Sequence, residues 1–276
     1  MTRNRAHVTL PASLNQTEQI SNPDTAKRID LWFVEPGTIT SVALLNAYRN
    51  LLSDDEQARC ARLHFAGHRH EYLITRALVR TVLSQLVTLP ARTLRFADNA
   101  YGRPSLIQWP ELSFNVSHTD GMIALAVAEN GQIGIDIERL GTRRSTQNLA
   151  QHCFTRREVI ALQAIDPSRF DTTFFSYWTL KESYVKACGL GLSLPLDSFE
   201  FDLTRTPSIG FLPPEDRPSD KSMRFWLLKP GVDHLSALCA LCPHHVPLLN
   251  ARRVVPLVSE KSMDVATLLL SPTPVL

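Results

Sequence analysis

The chain has 276 residues, 44% of them hydrophobic and 20% charged, and a formal net charge of +2, so it is long enough for one large core or two small ones. With so small a charge and no lysine-rich run, nucleic acid is not an expected partner, and no stretch approaches the roughly 20 apolar residues of a membrane span. Five scattered cysteines argue against a disulfide framework and, with no secretory pattern in residues 1–19, predict a cytoplasmic protein.

Residues 1–28 are polar and aperiodic and read as an irregular extension, and the first strand is predicted over 29–34. Between 40 and 87 the apolar residues recur at helical spacing, with Ser53-Asp54-Asp55 as a helix start and Gly67 as a break before a long helix. Short alternating runs follow at 94–96, 112–116, 122–128 and 132–138, and Asn130-Gly131 predicts a hairpin joining the last two. Thr155 to Glu158 has the form of a capping box, and a helix is predicted from about 170 to 188, ended by Gly189 and Gly191. Strands are predicted near 198–203, 224–228 and 235–241. Cys239 and Cys242, three apart on the last of these, point to opposite faces and read as small strand residues, not a metal pair, and His244 and His245 read as an exposed turn. Helices followed by antiparallel strands thus occur twice, giving halves at 29–135 and 136–245, with 246–276 as a peripheral or poorly ordered tail.

Strand alternation sends Asp136 and Glu138 to one face and Ile135 and Ile137 to the other, so two negative charges lie side by side and call for a cation. Helical spacing stacks Glu182 and Lys186 on one face, adding an oxygen ligand and a fixed positive charge. Hard oxygen ligands favour Mg²⁺. Alone, each pair reads more readily as solvated surface charge than as a site. The run Phe114-Asn115-Val116-Ser117-His118-Thr119 ends a strand in small polar groups and a histidine. In the turn 99–104, Gly102 is free to take a positive φ and Arg103 can fork onto a phosphate. Arg76 and Arg80, four apart, add two permanent charges. A Mg²⁺ site flanked by such cations is equipment for transferring or cleaving a phosphoester or pyrophosphate.

Tyr-Gly-Arg-Pro at 101–104, Phe-Asn-Val-Ser-His at 114–118, Gly-Ile-Asp-Ile-Glu at 134–138 and Trp-Thr-Leu-Lys-Glu-Ser-Tyr-Val-Lys at 178–186, running into Gly-Leu-Gly-Leu-Ser-Leu-Pro at 189–195, together resemble the 4′-phosphopantetheinyl transferases of the surfactin-synthetase-activating (Sfp) type. The resemblance covers about residues 29–245. It implies an α+β fold, a monomeric pseudodimer of two similar halves, each with helices packed on a small antiparallel sheet, and the active site in the cleft between them. It also implies Mg²⁺, coenzyme A as donor, an apo acyl or peptidyl carrier protein as acceptor and release of 3′,5′-ADP.

Carried over by motif, Asp136, Glu138 and Glu182 match the Mg²⁺ ligands. Asn115, Ser117 and His118 match the coenzyme A contact strand, with His118 at the 3′-phosphate, and Gly102 and Arg103 match the turn beside the nucleotide. Arg59 and Arg76 are implied as further contacts. Lys186 matches the group serving the leaving 3′,5′-ADP and Glu182 the base for the acceptor serine, with His118 a third catalytic candidate. Two departures stand out: Arg103 replaces the commoner lysine, and Glu56 occupies a position where a cation is expected. The rival readings are a Mg²⁺-dependent nuclease or phosphohydrolase, disfavoured because Arg139 and Leu140 follow Glu138 where many nucleases place a lysine, and a non-catalytic module that binds coenzyme A or a carrier, which would lack the three acids present here.

Overall fold

A computed structural model of the chain describes residues 28–141, 146–205, 207–242 and 246–271. β1 (Arg28–Val34) leads into α1 (Val42–Leu51), α2 (Asp54–Arg62) and α3 (Ala66–Val87). The helix start read at Ser53 is a full capping box: the Ser53 hydroxyl accepts from the Glu56 N–H, and the Glu56 carboxylate accepts from the Ser53 N–H. Gly67 lies inside the first turn of α3, not ahead of it. β2 (Phe96–Asp98), β3 (Pro104–Leu106), β4 (Leu112–Thr119), β5 (Met122–Glu129) and β6 (Ile133–Arg139) follow.

The second run of helices is α4 (Thr146–Cys153), α5 (Arg156–Gln163) and α6 (Phe170–Cys188). α5 opens on the predicted Thr155–Glu158 capping box, and α6 has the predicted bounds because Gly189 takes the left-handed conformation that ends it. β7 (Glu200–Asp202), β8 (Gly210–Leu212), β9 (Met223–Gly231), β10 (His234–Leu241), β11 (Leu248–Val255), β12 (Ser259–Ser262) and β13 (Ala266–Leu270) complete the described chain.

The larger strands form a five-stranded sheet, β12-β11-β1-β5-β4, and a four-stranded sheet, β13-β9-β10-β6. Helices α1 to α3 cover the first sheet through Tyr48, Leu78, Val82, Phe114 and Leu125. Helices α4 to α6 cover the second through Phe174, Leu180, Tyr184, Phe225 and Ala237. The bare faces of the two sheets close on each other over Leu31, Phe33, Ala126, Ile135, Ile137, Trp226 and Leu238. The order of layers is therefore helices, sheet, sheet, helices, an α+β fold of two halves whose apolar burial supplies the main folding drive.

Three expectations differ. β5 and β6 do not form a hairpin: β5 has β1 and β4 on its two edges, so no edge is left for β6, which pairs with β10. Asn130, at φ +49°, instead turns the chain from one sheet into the other, so the crossing precedes β6 and a boundary at 135/136 would cut that strand. Residues 246–271 are not peripheral, because β11 runs parallel to β1 inside the first sheet and β13 pairs with β9 on the edge of the second. Arg252 and Arg253 hide the strand signal in β11. Arg252 is compensated there by Asp30 at 2.7 Å and Glu260 at 2.8 Å and lies over the Trp32 ring. Cys239 and Cys242 fall in different cores, as alternation predicts. The first 27 residues and the His244–His245 pair lie outside the described residues.

The two sheets also meet edge to edge, where β4 lies beside β6. Alternate β4 side chains take the place of a backbone ladder. Asn115 Oδ1 accepts from the Ile135 N–H at 2.8 Å, the Ser117 hydroxyl donates to Asp136 Oδ1 at 2.9 Å, and Thr119 Oγ1 accepts from the Arg139 N–H at 3.3 Å. This seam places the site.

Candidate active site

β6 puts Ile135 and Ile137 into the inter-sheet core, which turns Asp136 and Glu138 toward α6 as strand alternation requires. α6 crosses directly over β6, and Gly134 permits it: a Cβ there would collide with the Ser183 carbonyl and the Ala187 nitrogen. This contact brings Lys186 onto the acidic strand. Its Nζ donates to Asp136 Oδ1 at 2.6 Å and to Ser117 Oγ at 2.9 Å, so groups from β4, β6 and α6 share one oxygen. The other oxygen, Asp136 Oδ2, is buried with no hydrogen-bond partner among the described residues. Glu138 accepts from the Thr119 hydroxyl at 3.4 Å.

Glu182 lies one turn before Lys186. Burial raises its carboxyl above the usual range, the Asp136 and Glu138 carboxylates push it the same way, and Lys186 opposes them. Three acids whose charges repel, one of them with an orphaned buried oxygen, have the chemistry of a hard-cation site. No group of three acidic, histidine or cysteine side chains stands close enough to ligate a metal among the described residues, and Lys186 now compensates Asp136. The oxygen donors are of the kind a hard cation such as Mg²⁺ takes, and in this arrangement the Asp136 carboxylate is compensated by Lys186.

The other nominated residues are differently placed. His118 is half-exposed at the end of β4, its Nδ1 paired with the Glu71 carboxylate from α3, a partner the sequence did not suggest. Asn115 is buried and its side-chain oxygen accepts from the β6 backbone, which makes it part of the seam. Arg76 and Arg80 share a face, as their spacing requires, yet both grip Glu56: Arg76 Nε is 2.7 Å from Oε1 and Arg80 Nε 2.6 Å from Oε2. Glu56 therefore pairs with both arginines and offsets one of their two positive charges. Arg59, on α2, lies over the Tyr72 ring at 5.9 Å. Gly102 adopts φ +83°, as the turn requires. The Arg103 guanidinium does not fork outward; Nη1 donates to the Lys186 and Ala187 carbonyls and Nη2 to the Ile133 carbonyl.

A family profile described as "4'-phosphopantetheinyl transferase superfamily" matches residues 132–239, and one described as "4'-phosphopantetheinyl transferase, N-terminal" matches residues 40–130. The chain is 31% identical over 196 residues to 4'-phosphopantetheinyl transferase Sfp of Bacillus subtilis (strain 168), covering 71% of this chain and 85% of that protein. It is 30% identical over 181 residues to 4'-phosphopantetheinyl transferase gsp of Aneurinibacillus migulanus, covering 66% and 74%. It is 27% identical over 165 residues to the L-aminoadipate-semialdehyde dehydrogenase-phosphopantetheinyl transferase of Mus musculus, covering 55% and 53%. The two matches divide at 130/132, where the chain passes from the first sheet to the second, and the chain belongs to the 4′-phosphopantetheinyl transferase family.

Proposed function

We propose that this protein transfers the 4′-phosphopantetheine arm of coenzyme A to a serine of an apo carrier protein, releasing 3′,5′-ADP, and that it works as a Mg²⁺-dependent monomer in the cytoplasm. The observation that carries this reading is the Ser117–Asp136–Lys186 cluster at the seam between the halves, with its orphaned Asp136 oxygen and the neighbouring Glu182. No helix among the described residues is long and apolar enough to cross a membrane.

Asp136, Glu138 and Glu182 would hold Mg²⁺, which when bound supplies charge neutralisation at the pyrophosphate. Glu182, whose carboxyl burial pushes above its ordinary value, takes the proton from the acceptor serine hydroxyl. The serine oxygen forms a bond to the phosphorus that bears the pantetheine arm, and the bond from that phosphorus to the bridging oxygen breaks. Lys186 stabilises the charge that develops on the departing 3′,5′-ADP. Ser117, His118, Arg59 and the Gly102 turn supply the contacts to coenzyme A.

The direct test is mass spectrometry of apo carrier proteins of the fatty-acid, polyketide and peptide classes after incubation with the enzyme, coenzyme A and Mg²⁺. One carrier should gain the mass of a single arm on serine, and no gain on any class would overturn the assignment. Glu71 offers a finer prediction, because its carboxylate sits on the histidine proposed for the 3′-phosphate and repels the same anion. Glu71→Gln is expected to lower the KM for coenzyme A by about 2- to 5-fold, the size set by an exposed charge pair. An unchanged or raised KM would remove His118 from the phosphate subsite.

A further inference from the structure

The turn at 99–103 belongs to the first half, yet its side chains end on the last turn of α6. Arg103 Nη1 donates to the carbonyl of Lys186 at 3.1 Å and to that of Ala187, and Nη2 donates to the carbonyl of Ile133, at the start of β6, at 3.1 Å. Asn99 Nδ2 donates to the carbonyl of Gly189 at 2.8 Å. Those of Lys186, Ala187 and Gly189 lie at the C-terminal end of α6, where a cation meets the negative end of the helix dipole, and the Lys186 carbonyl also accepts from the Gly189 N–H at 3.2 Å. Gly189 packs against the guanidinium stem, where a Cβ would come within 2.9 Å of Arg103 Cδ. The turn is itself held rigid: Asn99 Oδ1 accepts from the N–H groups of Tyr101 and Arg103, both at 2.9 Å.

The peptide that Arg103 grips is that of Lys186, whose ammonium reaches Asp136 and Ser117. One guanidinium thus ties the backbone of the lysine-bearing turn to the strand that carries the acids. On the other side, the Gly134 contact fixes the height of α6 above β6.

We propose that Arg103, assisted by Asn99, is a positioning residue for Lys186: it locks the C-terminal turn of α6 onto β6 and does not bind coenzyme A phosphate. The proposal rests on the reading above that Lys186 serves the leaving group. A guanidinium suits the task because its planar fork bridges carbonyls on two elements at once, which a lysine ammonium in the same place cannot reproduce.

The test is a kinetic cycle on the full-length protein with coenzyme A, Mg²⁺ and a responsive apo carrier, using Arg103→Met, Arg103→Lys, Asn99→Ala, Lys186→Met and the Arg103→Met/Lys186→Met double variant. Coenzyme A affinity is followed by calorimetry. Arg103→Met should lower kcat by about 10- to 100-fold, the scale of a misplaced reactive group, with the KM and Kd for coenzyme A within about 3-fold of the parent. Arg103→Lys and Asn99→Ala should show smaller losses of the same kind. The double variant should be no slower than Lys186→Met alone, because a residue that acts through Lys186 has nothing left to position.

A coenzyme A Kd raised about 10-fold or more with kcat preserved would make Arg103 a phosphate ligand and overturn the proposal. Additive losses in the double variant would overturn it as well. Should Arg103→Met not fold, the same decision falls to Arg103→Lys: a phosphate ligand would keep its affinity and turnover through the retained charge, whereas the positioning role predicts a kcat loss at unchanged Kd. Failure of the underlying reading looks different, since the parent enzyme would then not modify any carrier, or Lys186→Met would keep the parental kcat.

Discussion

Asp136→Ala is expected to abolish arm transfer while leaving the protein folded. One oxygen of this carboxylate gathers Lys186 Nζ at 2.6 Å and Ser117 Oγ at 2.9 Å, and the other is buried without a partner among the described residues. On the proposed reading its removal takes away a Mg²⁺ ligand and the anchor of the leaving-group lysine together, and kcat/KM should fall by about 1,000-fold, the upper end of what deleting one charge-stabilising group costs. The effect on stability is the balance of opposed terms. Loss of the lysine contact destabilises, while removal of an orphaned buried oxygen and of repulsion on Glu182 stabilises, so the net change should stay within about 1 kcal/mol. Steady-state kinetics across a Mg²⁺ titration and urea unfolding of the same preparation give both numbers. Mg²⁺-dependent transfer at more than about one-tenth of the parent rate would refute the ligand role.

Lys181→Met should have the opposite profile, a large loss of stability from a residue that faces away from the acids. Lys181 and Glu158 are both fully buried, 2.9 Å apart. The lysine also donates to the carbonyls of Leu196 and Phe199, and the carboxylate accepts from the N–H groups of Thr155 and Phe201. Burial alone pushes Glu158 up and Lys181 down, and each charge is held by the other and by these bonds. Deleting the cation strands a buried carboxylate, at a cost of about 3–5 kcal/mol. Adding Glu158→Gln should recover a large part of that, because the amide still accepts a backbone bond and no unpaired charge remains. Denaturant unfolding of the parent and both variants decides it. A cost below about 1 kcal/mol for Lys181→Met would show that the pair carries no structural weight.

Lys181 and Lys186 illustrate what a motif conceals. Both lie in the same nine-residue run, and their spacing assigns them to different helix faces, but nothing local says which face meets the acids and which meets a lone buried glutamate. The capping box at Thr155 announced Glu158 as an N-terminal helix residue, and its second partnership across the second half had no signal in the sequence. Arg103 is a similar case. Its turn chemistry and charge pointed outward to a phosphate, whereas the folded chain offers it helix-end carbonyls in the other half. The Asn130-Gly131 dipeptide did mark a turn, but pairing depended on whether β5 had a free edge, and β1 had taken it.

The bounds of α6, the Thr155 capping box, the alternation of β6 and the alignment of Glu182 with Lys186 were settled by the sequence itself. Each depends on dihedral preference and hydrogen bonds within about one helical turn or a strand repeat. The tertiary structure alone decided which charges face which: Glu56 takes Arg76 across 20 residues, and Arg103 takes the Lys186 carbonyl across 83. It also decided that residues 248–255 complete the first sheet. Burial sets both outcomes. A charge drawn into a core must meet its partner wherever the topology delivers one, and a strand with an open edge accepts whichever segment can reach it.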